Sequence, residues 1–305
     1  LRGAGKVQMV TRTVVRRLVL RNGGTRVSHA IAVNRDAPTD PAEFHARTFV
    51  VAGGYVWSPH LLLVSGLANR SGMVGKYMNG HRNVSAYIKL PIKLYPGINQ
   101  QHSLMSHKFM RPGRLGRYVR HDLRIWESAV GSEPRLRDDA GRVLLGDEGL
   151  RDWRTRAERG TARVRAYYDV LPHQDSSVTL DPDKKTPWGD PLPRIRYQDS
   201  DESAALRGHT EESIKRLFQE MAKAGGGEII RTGSDNFQDH PGGGCRMGND
   251  PATSVTDSYG RTHDHENLFV VGAPTCVTGS CCNGTLTFVA LGLRSGVEIG
   301  KDFPS

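Results

Sequence analysis

Residues Asp239–Gly248 read DHPGGGCRMG, and their reading governs the rest of the chain. Three consecutive glycines suit neither a helix nor a strand, because each adds backbone entropy that folding must remove. Their use is to let something approach the backbone where side chains would collide. His240 stands at the head of the run, outside any helical or strand period. Its imidazole is therefore a candidate acid–base group. A hydrogen-bonded core histidine is the plain alternative.

Downstream, ENLFVVGA gives a buried strand, Leu268 to Val271, and a glycine- and cysteine-rich loop follows. NGTLTFVALGLRSGVEIG then reads as a helix starting near Asn283–Thr285. The free N–H groups and positive dipole end at that start suit developing negative charge. Asn283 adds a donor and an acceptor, and Gly284 leaves the backbone open to a ligand. An asparagine-capped helix with nothing bound is the alternative there. Upstream, HARTFVVAGG is a second buried strand ending at Ala52-Gly53-Gly54. SPHLLLVSGL continues it as a helix with Ser58 as N-cap and Pro59 in the first turn. Strand, glycine turn and helix together bring backbone up to a ligand in α/β proteins.

The first segment, KVQMVTRTVVRRLVLRNGGTRVSHAIAVNRD, alternates and breaks at Asn22-Gly23-Gly24, a hairpin signal. In the middle of the chain, VSAYIKLPIKLY, TARVRAYYDV, SSVTLDP and PRIRYQ read as strands of an antiparallel sheet. DSDESAALRGHTEESIKRLFQEMAKAGG is a helix over its second half. Ile214, Leu217, Phe218 and Met221 repeat at helical spacing, and the stop is at Gly225.

The chain has 305 residues, of which 37% are hydrophobic, enough for a sizeable core. The net charge of +10 is spread along the chain, as in RTVVRRLVLR, and reads as a solvated surface. No basic arm, zinc finger or aromatic-interleaved basic helix occurs, which excludes nucleic acid as the partner. Three of the four cysteines fall within Cys276–Cys282, with no CxxC spacing, so they read as buried thiols and not as metal ligands. The apolar window 49–68 carries Gly-Gly, Ser-Pro and His, which argues against a membrane span.

The stretch HPGGGCRMGNDPATSVTDSYGRTHDHENLFVVGAPTCVTGSCCNGTLTFVALGLRSG resembles the C-terminal signature of the glucose–methanol–choline (GMC) flavoprotein oxidoreductases. ARTFVVAGGYVWSPHLLLVSGL is similar to the family's strand–turn–helix, and LPHQDSSVTLDPDKKTPWGDPLPRIRY to its substrate-domain segment. The resemblance implies a mixed α/β fold. Residues 1–75 and 231–305 would form part of a Rossmann-like FAD-binding domain, and 76–230 a substrate domain with an antiparallel sheet. It further implies FAD-dependent oxidation of an alcohol, with bacterial sugar and polyol dehydrogenases nearest in character. His240 falls on the family's catalytic histidine and Asn283 on its second active-site position. Val14, Gly272, Ala273, Asn283, Gly284 and Thr285 fall on cofactor-binding positions, with Val14 at the adenine.

The chain departs from the family pattern in three places. Gly284 stands where the family usually has proline, and Gly272 where it often has an acidic residue. No strand followed by Gly-x-Gly-x-x-Gly, the pyrophosphate-binding fingerprint, occurs in the sequence. The expected partners are therefore a small-molecule alcohol or sugar, an electron-acceptor protein, and an upstream segment or second polypeptide that supplies the fingerprint. The competing expectation is a non-catalytic remnant, or a structural subunit that keeps the fold without turnover.

Overall fold

The computed structural model describes residues 7–22, 24–92, 104–110, 119–128, 134–158 and 161–303. The alternating N-terminal segment forms an antiparallel meander. β1 (Thr13–Leu20) pairs with β2 (Val27–Asn34), from Thr13↔Asn34 to Leu20↔Val27, and β2 pairs with β3 (Ala37–His45). The hairpin falls where the sequence reading puts it, although Gly23 itself lies outside the described residues. β3 was not anticipated, because every one of its residues is exposed and leaves no alternation to read.

β4 (Phe49–Val51) follows, and the chain turns at Gly53 into α1 (Gly54–Ser65). The sequence reading starts this helix five residues late. Ser58 is not its N-cap but a fully buried residue inside it, and Pro59 lies in the second turn. A proline there cannot donate to the Tyr55 carbonyl. That carbonyl and the Pro59 ring instead face Gly244 of the triple-glycine run. The helix break written into Pro59 has become a packing contact.

The middle of the chain builds a five-stranded antiparallel sheet in the order β11-β5-β8-β7-β6. Its strands are β5 (Asn79–Lys89), β6 (Leu104–Ser106), β7 (Leu123–Ser128), β8 (Thr161–Val170) and β11 (Glu228–Gly242). The expected strand VSAYIKLPIKLY stops at Lys89, and its residues 93–95 lie outside the described residues. SSVTLDP and PRIRYQ do not join this sheet. They form a separate two-stranded ribbon, β9 (Ser177–Lys185) with β10 (Pro191–Arg196). A mostly polar helix that the sequence reading did not identify, α2 (Asp147–Glu158), precedes β8.

α3 (Asp201–Ala224) covers the large sheet and starts at Ser200, whose hydroxyl accepts from the Ser203 N–H. Ile214, Phe218 and Ala222 recur every four residues and are buried against Val84, Ala86 and Val164. A second core joins the meander, α1 and a parallel pair made by β4 and β12 (Leu268–Val270), with Leu268 opposite Phe49. After β12 come a short 3₁₀ turn, Ala273–Thr275, and α4 (Thr285–Lys301). The architecture is mixed α/β with antiparallel sheets, as the sequence reading has it. β11 runs through residue 230, so one continuous strand carries the chain from the large sheet to His240.

Candidate active site

Backbone hydrogen bonds zip the triple-glycine run to the turn after β12. Gly243 N–H donates to Ala273 O at 3.0 Å, Cys245 N–H to Pro274 O at 2.9 Å and Met247 N–H to Thr275 O at 2.9 Å. The glycines are bare because the chain's own backbone lies against them. A Cβ on Gly243 would sit 2.2 Å from Tyr77 O, and one on Gly242 would sit 2.8 Å from Ala273 O. Gly243 also has φ +83°, where only glycine is unstrained. Thus the run holds the stretch Tyr77–Asn79 against the turn. Asn79 then donates to Cys276 O at 3.2 Å, and Gly279 packs on the Gly80 backbone.

These contacts converge on His240. Its register on β11 is broken by bulges either side of Asp239, and its φ of +47° is left-handed, a rare state for a side-chain-bearing residue. Such strain at a reactive group is typical of functional sites. The bulges aim the half-buried imidazole between two partners. His240 Nδ1 lies 3.1 Å from His81 Nε2, and Asn283 Nδ2 lies 3.3 Å from His240 Nε2. The two motifs singled out in the sequence therefore meet, joined by a third residue that the sequence reading missed. His81 is fully buried on β5, 159 residues from His240 in the chain. Only the β5–β11 pairing brings it there, so no local signal could have found it.

Asn283 is exposed and does not cap α4. The cap is Gly284, with no side-chain hydrogen bond, so no side chain caps the first N–H groups of α4. The room at Gly284 expected for a ligand holds the Phe288 ring instead, 2.5 Å from where a Cβ would be. Thr285 is exposed in the first turn. Gly272 adopts φ +82°, ψ −143°, a conformation reserved for glycine, and nothing lies within 4 Å of where its Cβ would be. An acidic residue at that position would be strained. Val14 is on the wall of an apolar recess of about 400 Å³ that also takes in Leu18, Ala30, Phe49, Trp57 and His60, and neither His240 nor His81 lines it.

Asp169, buried on β8, accepts a hydrogen bond from Arg120 at 2.7 Å. Burial nonetheless pushes its pKa above the ordinary carboxylate range. Cys245, Cys276 and Cys281 are buried, and burial pushes the Cys276 thiol up to about 11 and the Cys281 thiol up to about 12. They are inert thiols in this state. Among the described residues one trio, His29, Glu43 and His45 on β2 and β3, could hold a metal ion. Two of the three are exposed, and the trio lies on a different sheet from His240. Among the described residues no helix is long and apolar enough to cross a membrane.

Family models for GMC oxidoreductases match residues 3–83, with the N-terminal model, and 172–292, with the C-terminal one. The chain is 30% identical over 274 residues to 2-methyl-1,2-propanediol dehydrogenase of Mycolicibacterium austroafricanum, covering 86% of this chain and 49% of that protein. It is 29% identical to the fructose dehydrogenase large subunit of Gluconobacter japonicus, covering 84% and 48%. Paromamine 6'-oxidase of Streptomyces fradiae is 30% identical, with 85% and 46% covered. The chain thus spans about half the length of the curated relatives it matches. Its fold is similar to pyridoxine 4-oxidase from Mesorbium loti, at TM-score 0.61 and 19% identity, covering 94% of this chain and 57% of that one. A formate oxidase of Aspergillus oryzae RIB40, solved in a study of FAD modification, matches at TM-score 0.58 and 14% identity, with 95% and 60% covered. With both family models matching in chain order, and with the same fold in solved relatives, this chain belongs to the GMC oxidoreductase family.

Proposed function

We propose that the chain carries the alcohol-oxidising portion of an FAD-dependent dehydrogenase or oxidase acting on a sugar, glycoside or polyol. The carrying observation is the contact of Asn283 with His240 Nε2 at the end of a strained strand. The residues present suit part of an FAD. Open space over Gly272 would admit a flat ring against the backbone, and the apolar recess at Val14 has a volume suited to an aromatic group. The α4 N-terminus, with Gly284 and Thr285, would favour negative charge on the ring. FAD, when bound, supplies the acceptor for the hydride leaving the alcohol carbon. His240 Nε2 takes the hydroxyl proton as that hydride leaves, so the alcohol becomes a carbonyl and His240 an imidazolium. Asn283 Nδ2 donates to the same oxygen while it carries alkoxide character.

The pyrophosphate-binding fingerprint is not among these residues. It is supplied in this account by another segment or by a second polypeptide. Exposed apolar surface supports such a contact. Leu286, Val289, Leu293 and Val297 line one face of α4 at 81%, 54%, 68% and 70% exposure, far more than an isolated helix face needs. The test is co-expression with an N-terminal segment of a family member that bears the fingerprint. A yellow complex that is bleached by a sugar or polyol supports the reading. If neither this chain nor the complex takes up FAD, the chain is a non-catalytic GMC-like subunit instead.

A further inference from the structure

We infer that His81 is a positioning residue that holds His240 in the one neutral tautomer able to act as a base, an inference that rests on the base role proposed above. Asn283 meets His240 Nε2 with its amide nitrogen, a donor, so Nε2 presents its lone pair. The remaining proton of a neutral His240 then sits on Nδ1. At 3.1 Å that N–H faces His81 Nε2, which would accept it. The reverse order would put the proton on His240 Nε2 and leave no base facing the alcohol.

The surroundings fix His81 in this role. His81 is wholly buried. Its ring meets the Tyr167 ring edge-on, with centroids 4.8 Å apart and planes at 70°. Arg124 lies over the Tyr167 ring at 4.5 Å and donates to Asp122 at 2.7 Å, and Asp122 also accepts from the Tyr167 N–H. On the other side the Gly80 backbone is pinned by Gly279. The His81 ring is therefore braced before any substrate arrives. When His240 takes the alcohol proton, its charge stays on His240, and the Nδ1–H···Nε2 bond to His81 becomes charge-assisted and stronger. His81 gains no proton in the step.

The experiment is nitrogen-15 NMR of the 305-residue chain labelled at histidine. Three results are expected in the wild-type chain: His240 protonated on Nδ1, bare on Nε2, and coupled across the hydrogen bond to His81 Nε2. His81→Leu should lower the Nδ1–H population several-fold, and His81→Gln, which keeps an acceptor, should restore it. In flavin-loaded protein His81→Leu should slow flavin reduction at least about 10-fold with little change in KM. His240 protonated on Nε2, or no coupling to His81, overturns the inference even if no variant folds. So does an Nδ1–H population that ignores His81→Leu. The tautomer is read without turnover, so failure here is separate from failure of the base role, which a silent His240→Ala would reveal.

Discussion

Asn283 reaches His240 across 43 residues of sequence, its Nδ2 3.3 Å from the imidazole Nε2. The contact exists because the triple-glycine run is hydrogen-bonded to the turn after β12, and the loop from that turn returns over Gly80. In the proposed mechanism a donor and a base thus converge on one point where an alcohol oxygen can sit. In flavin-loaded protein, Asn283→Ala should lower the rate of flavin reduction by about 100-fold, the order lost with one donor to a developing oxyanion. Rapid-mixing reduction kinetics check it, and an unchanged rate removes Asn283 from the chemistry.

Gly243→Ala should destabilise the fold. The positive φ alone costs about 1–3 kcal/mol for a residue with a side chain. The added methyl would also meet the Tyr77 carbonyl 2.2 Å away, a backbone atom that cannot swing aside. Thermal unfolding checks it, and a midpoint equal to that of the wild type would contradict the packing.

Asp169 gives a stability signature with a definite sign. Burial raises its carboxyl pKa above the ordinary value of 3.8, against the pull of Arg120. As pH climbs from that value through the raised one, the folded chain keeps a proton that the unfolded chain has lost. Stability conferred by this group is present below the window and falls across it. Asp169→Asn has no such loss, so the variant should gain on the wild type as pH rises. Urea unfolding over a pH series measures this, and a difference that stays flat would mean Asp169 titrates normally.

Much of this was legible in the residues. Alternation marked β1 and β2, and Ile214, Leu217, Phe218 and Met221 at helical spacing marked the second half of α3. Where the reading failed, tertiary contacts had overridden a local signal. Pro59 reads as a first-turn residue, yet its ring packs on Gly244 inside α1. α2 has little apolar surface and is anchored by Asp152 to Arg135, at 2.9 Å. The site itself was half legible. His240 and Asn283 stood out by the glycines beside them, whereas His81 sits in an ordinary strand and acquires its position only through strand register.

Removal of the alcohol proton by His240 is tested by anaerobic rapid mixing of the flavin-loaded protein with an alcohol that reduces it, comparing wild type with His240→Ala. The variant should bind FAD as the wild type does but reduce it at least about 100-fold more slowly. Reduction at the wild-type rate in the variant would remove His240 from the proton transfer.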